Sequence, residues 1–306
     1  MNPQTIVEGV LTAGPVIASN QLEVSAFGNQ GQLLGTTVVD AGGRYSLAIP
    51  LTYTGPILVR VFDKGTSPDY LDEATGQPKD LNTDIRAVSN IPFAGGTFQV
   101  NLNPLTELAV KTVGLQSGDG GSSQINLNNI TAAQITQANQ TVANAFGLTG
   151  VNLTGRNPSS NQSGNQPGTN QNSNPSLIVN ADGTPNPNAN TYGRVLAALS
   201  GTEAGQGQTT GQVLDQFLTN LTQNNGTLGT AGKQTLIVGA INVDPTGSKG
   251  VSTDVGTSQG NSTETQTAAQ ATYNKLAQLA DKVTPAPTVT LQEVQALGIT
   301  GIDAAK

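Results

Sequence analysis

Seven short runs of alternating or β-branched residues, spaced about ten residues apart, fill the first third of the chain and restrict it to a stack of strands. They cover 5–11, 21–27, 33–39, 44–49, 57–62, 83–89 and 97–102. The separators TAGP, GNQGQ, DAGG, TYTGP and FAGG carry residues that tolerate a positive φ or preset a turn. In QLEVSAF, Leu22, Val24 and Ala26 share one side of a strand. In DAGGRYSLAIP, Gly42 and Gly43 tighten a turn before Tyr45, Leu47 and Ile49 bury one face, so strand and turn chemistry accounts for the whole segment as scaffold. Seven such strands favour a β-sandwich, which we place at 1–103.

At NLNPLTELAVKTVG the apolar period changes from two to about 3.6. Asn103 is an N-cap with Pro104 at the first helical position, Leu105 and Leu108 give a face, and Gly114 stops the helix. A second helix starts at Thr131 and aligns Ile135, Ala138, Val142 and Phe146. Glycine-punctuated segments such as TYGRVLAALSG, TTGQVLDQFLTNLTQNNG and TAGKQTLIVGAINVD read as short helices, and ETQTAAQATYNKLAQLADKV as a long one. The expected helical domain therefore runs over 104–284, with flexible loops at about 156–190 and 244–263, where apolar side chains are too sparse to offset chain entropy. Inside the first loop the triplet Leu177–Ile178–Val179 either docks on its own domain or adds a strand to another subunit. Residues 285–306 read as a linker and the start of a truncated helical repeat, in which Thr290 and Glu293 form a capping box.

Charged residues make 11% of the 306-residue chain, where about 25% is usual. Asn, Gln, Thr, Ser and Gly take their place, giving a surface that hydrogen-bonds water without repelling its neighbours. The net charge of −7 and the lack of a Lys/Arg cluster argue against a nucleic-acid partner. Without histidine or cysteine, His-based triads, His-ligated zinc, thiol catalysis and disulfides are all excluded, and the missing cysteine fits export from a Gram-negative cell. No apolar stretch is long enough for a membrane helix, and MNPQTIVEGVLTAGPV lacks the regions of a signal peptide, so export through a distal C-terminal signal is one expectation.

The densest acidic segment, DKGTSPDYLDEATGQPKD, places Asp63, Asp69, Asp72, Glu73 and Asp80 between two strands. Calcium takes six to eight oxygens, and this loop supplies many carboxylates, although without EF-hand or nonapeptide spacing. The competing reading is a solvated acidic loop balanced by Lys64 and Lys79. A glycosidase pair among 20 acidic residues is the weaker alternative, since accidental neighbours are certain. Near Lys233 the glycine spacing is wrong for a phosphate loop, and Gln234 stands where a magnesium-binding hydroxyl is needed.

The stretch VEGVLTAGPVIASNQLEVSAFGNQGQLLGTTVVDAGGRYSLAIP resembles the carboxypeptidase-regulatory-like, or transthyretin-like, β-sandwich of bacterial surface proteins, and NPLTELA and YGRVLAALSG are similar to the segments that accompany it. LQEVQALGITGID is similar to the small helical repeats of very long adhesins. The resemblance implies an extracellular, non-catalytic role. The combined expectation is an α+β chain: a seven-stranded Ig-like or transthyretin-like β-sandwich followed by a mainly helical domain. It would be a secreted cell-surface protein of a Gram-negative bacterium that self-assembles into a surface layer or fibre, with calcium as its cofactor. The alternative is an adhesin segment that binds a glycan, such as a surface polysaccharide, or a host surface.

Overall fold

The computed structural model describes residues 4–17, 22–115, 125–155 and 175–259. Over these the chain is α+β, nine strands followed by six helices. Strand β1 (Thr5–Val10) is the centre of a three-stranded sheet, antiparallel to β4 (Arg44–Ile49) and parallel to β9 (Gly96–Gln99). Strands β3 (Leu33–Val38), β2 (Leu22–Phe27), β5 (Gly55–Asp63) and β8 (Ile85–Ile91) line up in that order as an antiparallel sheet. Side chains alternate across a strand, so each sheet offers one apolar face to the other. Val7, Leu47 and Phe98 from the first sheet share a closed core with Val24, Val59 and Ala87 from the second.

The DAGG turn between β3 and β4 is built as its sequence suggests. Asp40 Oδ1 accepts the N–H groups of Gly42 and Arg44, both at 2.8 Å. Only Gly43 needs to be glycine: its φ is 75°, and a Cβ there would meet the Leu11 carbonyl oxygen at 2.7 Å.

Strands β2, β5 and β8 of the second sheet are largely buried, whereas β3 at its margin is not; in β5 the buried run Ile57–Val61 is apolar except for Arg60, which is paired with Asp84. The sheet's outer residues Phe27, Leu58 and Val88 pack with Val110, Leu127 and Ile135 from the helical layer. Helix α1 (Pro104–Thr112) lies there, started by Asn103, whose Oδ1 accepts the Leu105 and Thr106 N–H groups at 3.0 and 3.2 Å. Glu107 in its first turn accepts the Arg86 backbone N–H of β8 at 3.0 Å and its guanidinium in a fork, 2.8 Å from Nε and 2.5 Å from a terminal nitrogen. That fork matches the carboxylate geometry and resolves two charges that would otherwise be costly inside the protein.

The remaining helices are α2 (Ala132–Ala145), α3 (Thr191–Gln206), α4 (Thr210–Gln223), α5 (Thr230–Val243) and α6 (Val251–Ser258). Helices α3 and α5 touch backbone to backbone. A Cβ on Gly201 would lie 2.0 Å from the Gly239 carbonyl oxygen, and one on Gly239 would lie 2.2 Å from that of Ala198. The glycines that punctuate the sequence thus do not shorten these helices; they let them cross closely, and α3 runs on to Gln206 before Gly207 caps it with φ 61°. Phe146 and Phe217 meet edge to face at 5.1 Å and anchor α4 to the segment after α2.

Several elements differ from the sequence reading. Two short strands, β6 (Tyr70–Leu71) and β7 (Pro78–Lys79), form a hairpin in the acidic segment, too brief to show a period. The strand expected at 83–89 forms two residues later, after Asp84 has turned back to Arg60 at 2.8 Å. Helix α6 stands inside the loop expected at 244–263, started by Asp244, whose carboxylate accepts the Lys249 and Val251 N–H groups, and held by buried Val251 and Val255. Ile178 of the apolar triplet is buried in the helical core, so that triplet docks on its own chain. Residues 156–174 of the first loop, the helix expected at 264–283 and the segment 285–306 lie outside the described residues.

Candidate functional site

The five acidic residues singled out from the sequence divide into two groups. Asp63 ends β5, Asp69 precedes β6 and Asp80 follows β7, and each places a carboxylate oxygen within 4.8 Å of the other two. Asp63 Oδ1 accepts the Gly65 N–H at 2.8 Å, and Asp69 Oδ2 accepts that of Leu81 at 3.0 Å. The other Asp69 oxygen, Oδ1, and Oδ1 of Asp80 are buried with no hydrogen-bond partner. Asp69 itself is 0% exposed. At an effective dielectric of about 20, two carboxylate charges this close repel by about 3–4 kcal/mol. Burial, together with the charges of Asp63 and Asp80, pushes Asp69 up to about 6 against the opposing Leu81 N–H. No ion pair among the described residues involves any of the three. Lys64 is paired with Glu23, and Lys79 with Asp72 and Glu203.

Asp72 and Glu73 face the other way. Asp72 Oδ1 caps the hairpin turn, accepting the Ala74 and Thr75 N–H groups at 3.1 and 2.8 Å, while Oδ2 meets Lys79 at 3.3 Å. Glu73 is buried against the helical layer, where Oε1 accepts the Ile178 N–H at 2.9 Å. Burial pushes its carboxyl up to about 8, opposed by that bond, with Asp72 raising it further and Lys249 lowering it. Of the residues read as one calcium loop, then, only Asp63, Asp69 and Asp80 are brought together. The adjacent Asp72 and Glu73 are structural. Sequence reasoning missed Glu203, whose role depends on a helix more than a hundred residues away.

Two other surfaces stand out. A groove of about 600 Å³ lies between the end of β8 and α2, lined by Asn90, Asn139, Gln140, Asn144 and Asn152 and by no charged side chain. The Asn139 amide donates to the Ile135 carbonyl at 2.9 Å, whereas its buried Oδ1 has no partner. At the margin of the second sheet, β3 pairs among the described residues with β2 alone. Its sequence LLGTTV contains no charge and no proline, and Leu33 and Val38 are 57% and 55% exposed.

No family model, curated protein or solved structure matches this chain. The functional reading therefore stands on these residues.

Proposed function

We propose that this chain is a structural cell-surface protein of a Gram-negative bacterium, secreted and self-assembling into a surface layer or extracellular fibre, with no catalytic role. In this reading the two facing sheets are an Ig-like or transthyretin-like sandwich. The observation that carries it is the β3 edge. Soluble proteins blunt such margins with lysine, proline or a covering loop, because unpaired N–H and C=O groups recruit another strand. Here the margin is uncharged, bears two exposed aliphatic side chains and sits in a chain with few charges to keep copies apart. Electron microscopy with parallel light scattering over a concentration series is the test. Ordered sheets or filaments are expected of the native chain, and dispersal is expected on Thr36→Lys with Val38→Lys. A strictly monomeric chain at high concentration, with and without calcium, sinks the reading.

The groove between β8 and α2 favours a second reading, an adhesin that binds a polysaccharide. Its amides and hydroxyls suit a neutral polyhydroxylated ligand, and the unpartnered Asn139 Oδ1 could accept a hydroxyl donor. A glycan array decides between the two, through saturable binding that is lost on Asn139→Leu.

A further inference from the structure

We propose that Asp63, Asp69 and Asp80 bind one hard divalent cation, calcium, which clasps the two ends of the 63–80 excursion and holds the β6–β7 hairpin against the helical layer.

The first support is the arrangement of oxygens. Three carboxylates from three separate places in the chain converge within 4.8 Å, and hard cations take such oxygens. The second is independent of the clustering. Asp69 is 0% exposed, yet its Oδ1 is buried with no donor apart from a proton it can share with the Asp80 carboxyl, whose Oδ1 is likewise buried without a partner. A buried acceptor without a donor is costly, and a cation among these oxygens removes that cost for both at once. The third is charge. The lysines that balance this segment in sequence are committed elsewhere, to Glu23, Asp72 and Glu203, so no ion pair among the described residues neutralises the cluster. The oxygens that complete a calcium shell would come from backbone carbonyls and water, as in weaker extracellular sites with dissociation constants of roughly 10⁻⁴–10⁻³ M.

The position of the cluster gives the cation a consequence. Asp63 and Asp80 flank the hairpin, and Asp69 begins it. From that hairpin Glu73 accepts the Ile178 N–H, the Ala74 N–H reaches Ser200 Oγ at 3.1 Å, and Lys79 meets Glu203 at 2.6 Å. An ion that closes the neck of the excursion restricts the open chain and favours the seated hairpin. This inference stands apart from the assembly reading, because it concerns one chain and is measured on dispersed protein.

The test is calorimetric titration of the chelator-treated full chain with calcium, with magnesium as comparator, followed by amide hydrogen exchange. One equivalent of calcium is expected to bind, more tightly than magnesium, and to slow exchange across 69–81 and at Ile178. Asp69→Asn and Asp80→Asn should each weaken binding by at least about tenfold, as loss of a ligand charge requires. In chelator, Asp69→Asn should melt no lower than the native chain, since it relieves repulsion, and this separates lost binding from lost folding. Absence of calcium binding overturns the proposal, as does an affinity in both variants equal to that of the native chain, or unchanged exchange across the hairpin. Preference for magnesium overturns the assignment of calcium.

Discussion

Lys79 Nζ and Glu203 Oε2 lie 2.6 Å apart although 124 residues separate them along the chain. The same ammonium sits 3.3 Å from Asp72 Oδ2. One cation thus serves a carboxylate of the β6–β7 hairpin and another from α3, and it ties the strand region to the helical layer at the point where the acidic segment turns.

Because the Asp72 and Glu203 side chains are only 4% and 7% exposed, removal of the lysine leaves two desolvated charges. Lys79→Met is expected to lower unfolding free energy by about 1–3 kcal/mol, less than for a fully buried pair because Lys79 is itself partly in water. Adding Glu203→Leu should recover part of the loss. Urea unfolding of the two single variants and the double variant reads the coupling, and strictly additive costs would count against the shared role.

Glu73 makes stability depend on pH. Its folded-state carboxyl is raised to about 8 from an ordinary 4.5, so between those values the native chain holds a proton that the unfolded chain has lost. Stability therefore falls as pH rises through that window and levels off above it. The distance between the two values caps the effect at roughly 5 kcal/mol. Glu73→Gln keeps an acceptor for the Ile178 N–H without a charge. The expected result is a variant that matches the native chain near pH 4.5 and exceeds it increasingly towards pH 8. Parallel pH profiles for the two proteins would refute the assignment.

Helix crossing at Gly201 and Gly239 predicts a sharp size limit. Gly201→Ala and Gly239→Ala each force a methyl into a backbone carbonyl, at 2.0 and 2.2 Å, and should destabilise by about 1–3 kcal/mol despite alanine's better helix propensity. Gly42→Ala is the control: its added methyl meets nothing closer than Asp40 Oδ1 at 3.4 Å, so a change within about 0.5 kcal/mol is expected. Thermal melting of the three variants ranks them, and similar losses at all three would show that the crossing tolerates more than the geometry allows.

Local patterns carried the strands and caps. The run 44–49 forms β4 with the inward face read from Tyr45, Leu47 and Ile49, and Asn103 with Pro104 starts α1, because alternation and capping depend on neighbours a few residues away. Sequence also singled out the acidic segment, whose carboxylates it read as one loop. It could not distribute those carboxylates. Asp69 and Asp72 are close in the chain, yet one faces Asp63 and Asp80 while the other turns to Lys79, a division made by a two-residue hairpin with no periodic signal. Helix α6 escaped notice for a related reason: its eight residues hold only Val251 and Val255 as buried apolar anchors, and those matter because α3 and α5 provide a surface to receive them. The glycines of α3 and α5 read as breaks in the sequence and serve as contacts in the fold. Backbone approach between distant helices, like the convergence of distant charges, is a property of packing, and only the tertiary structure decides it.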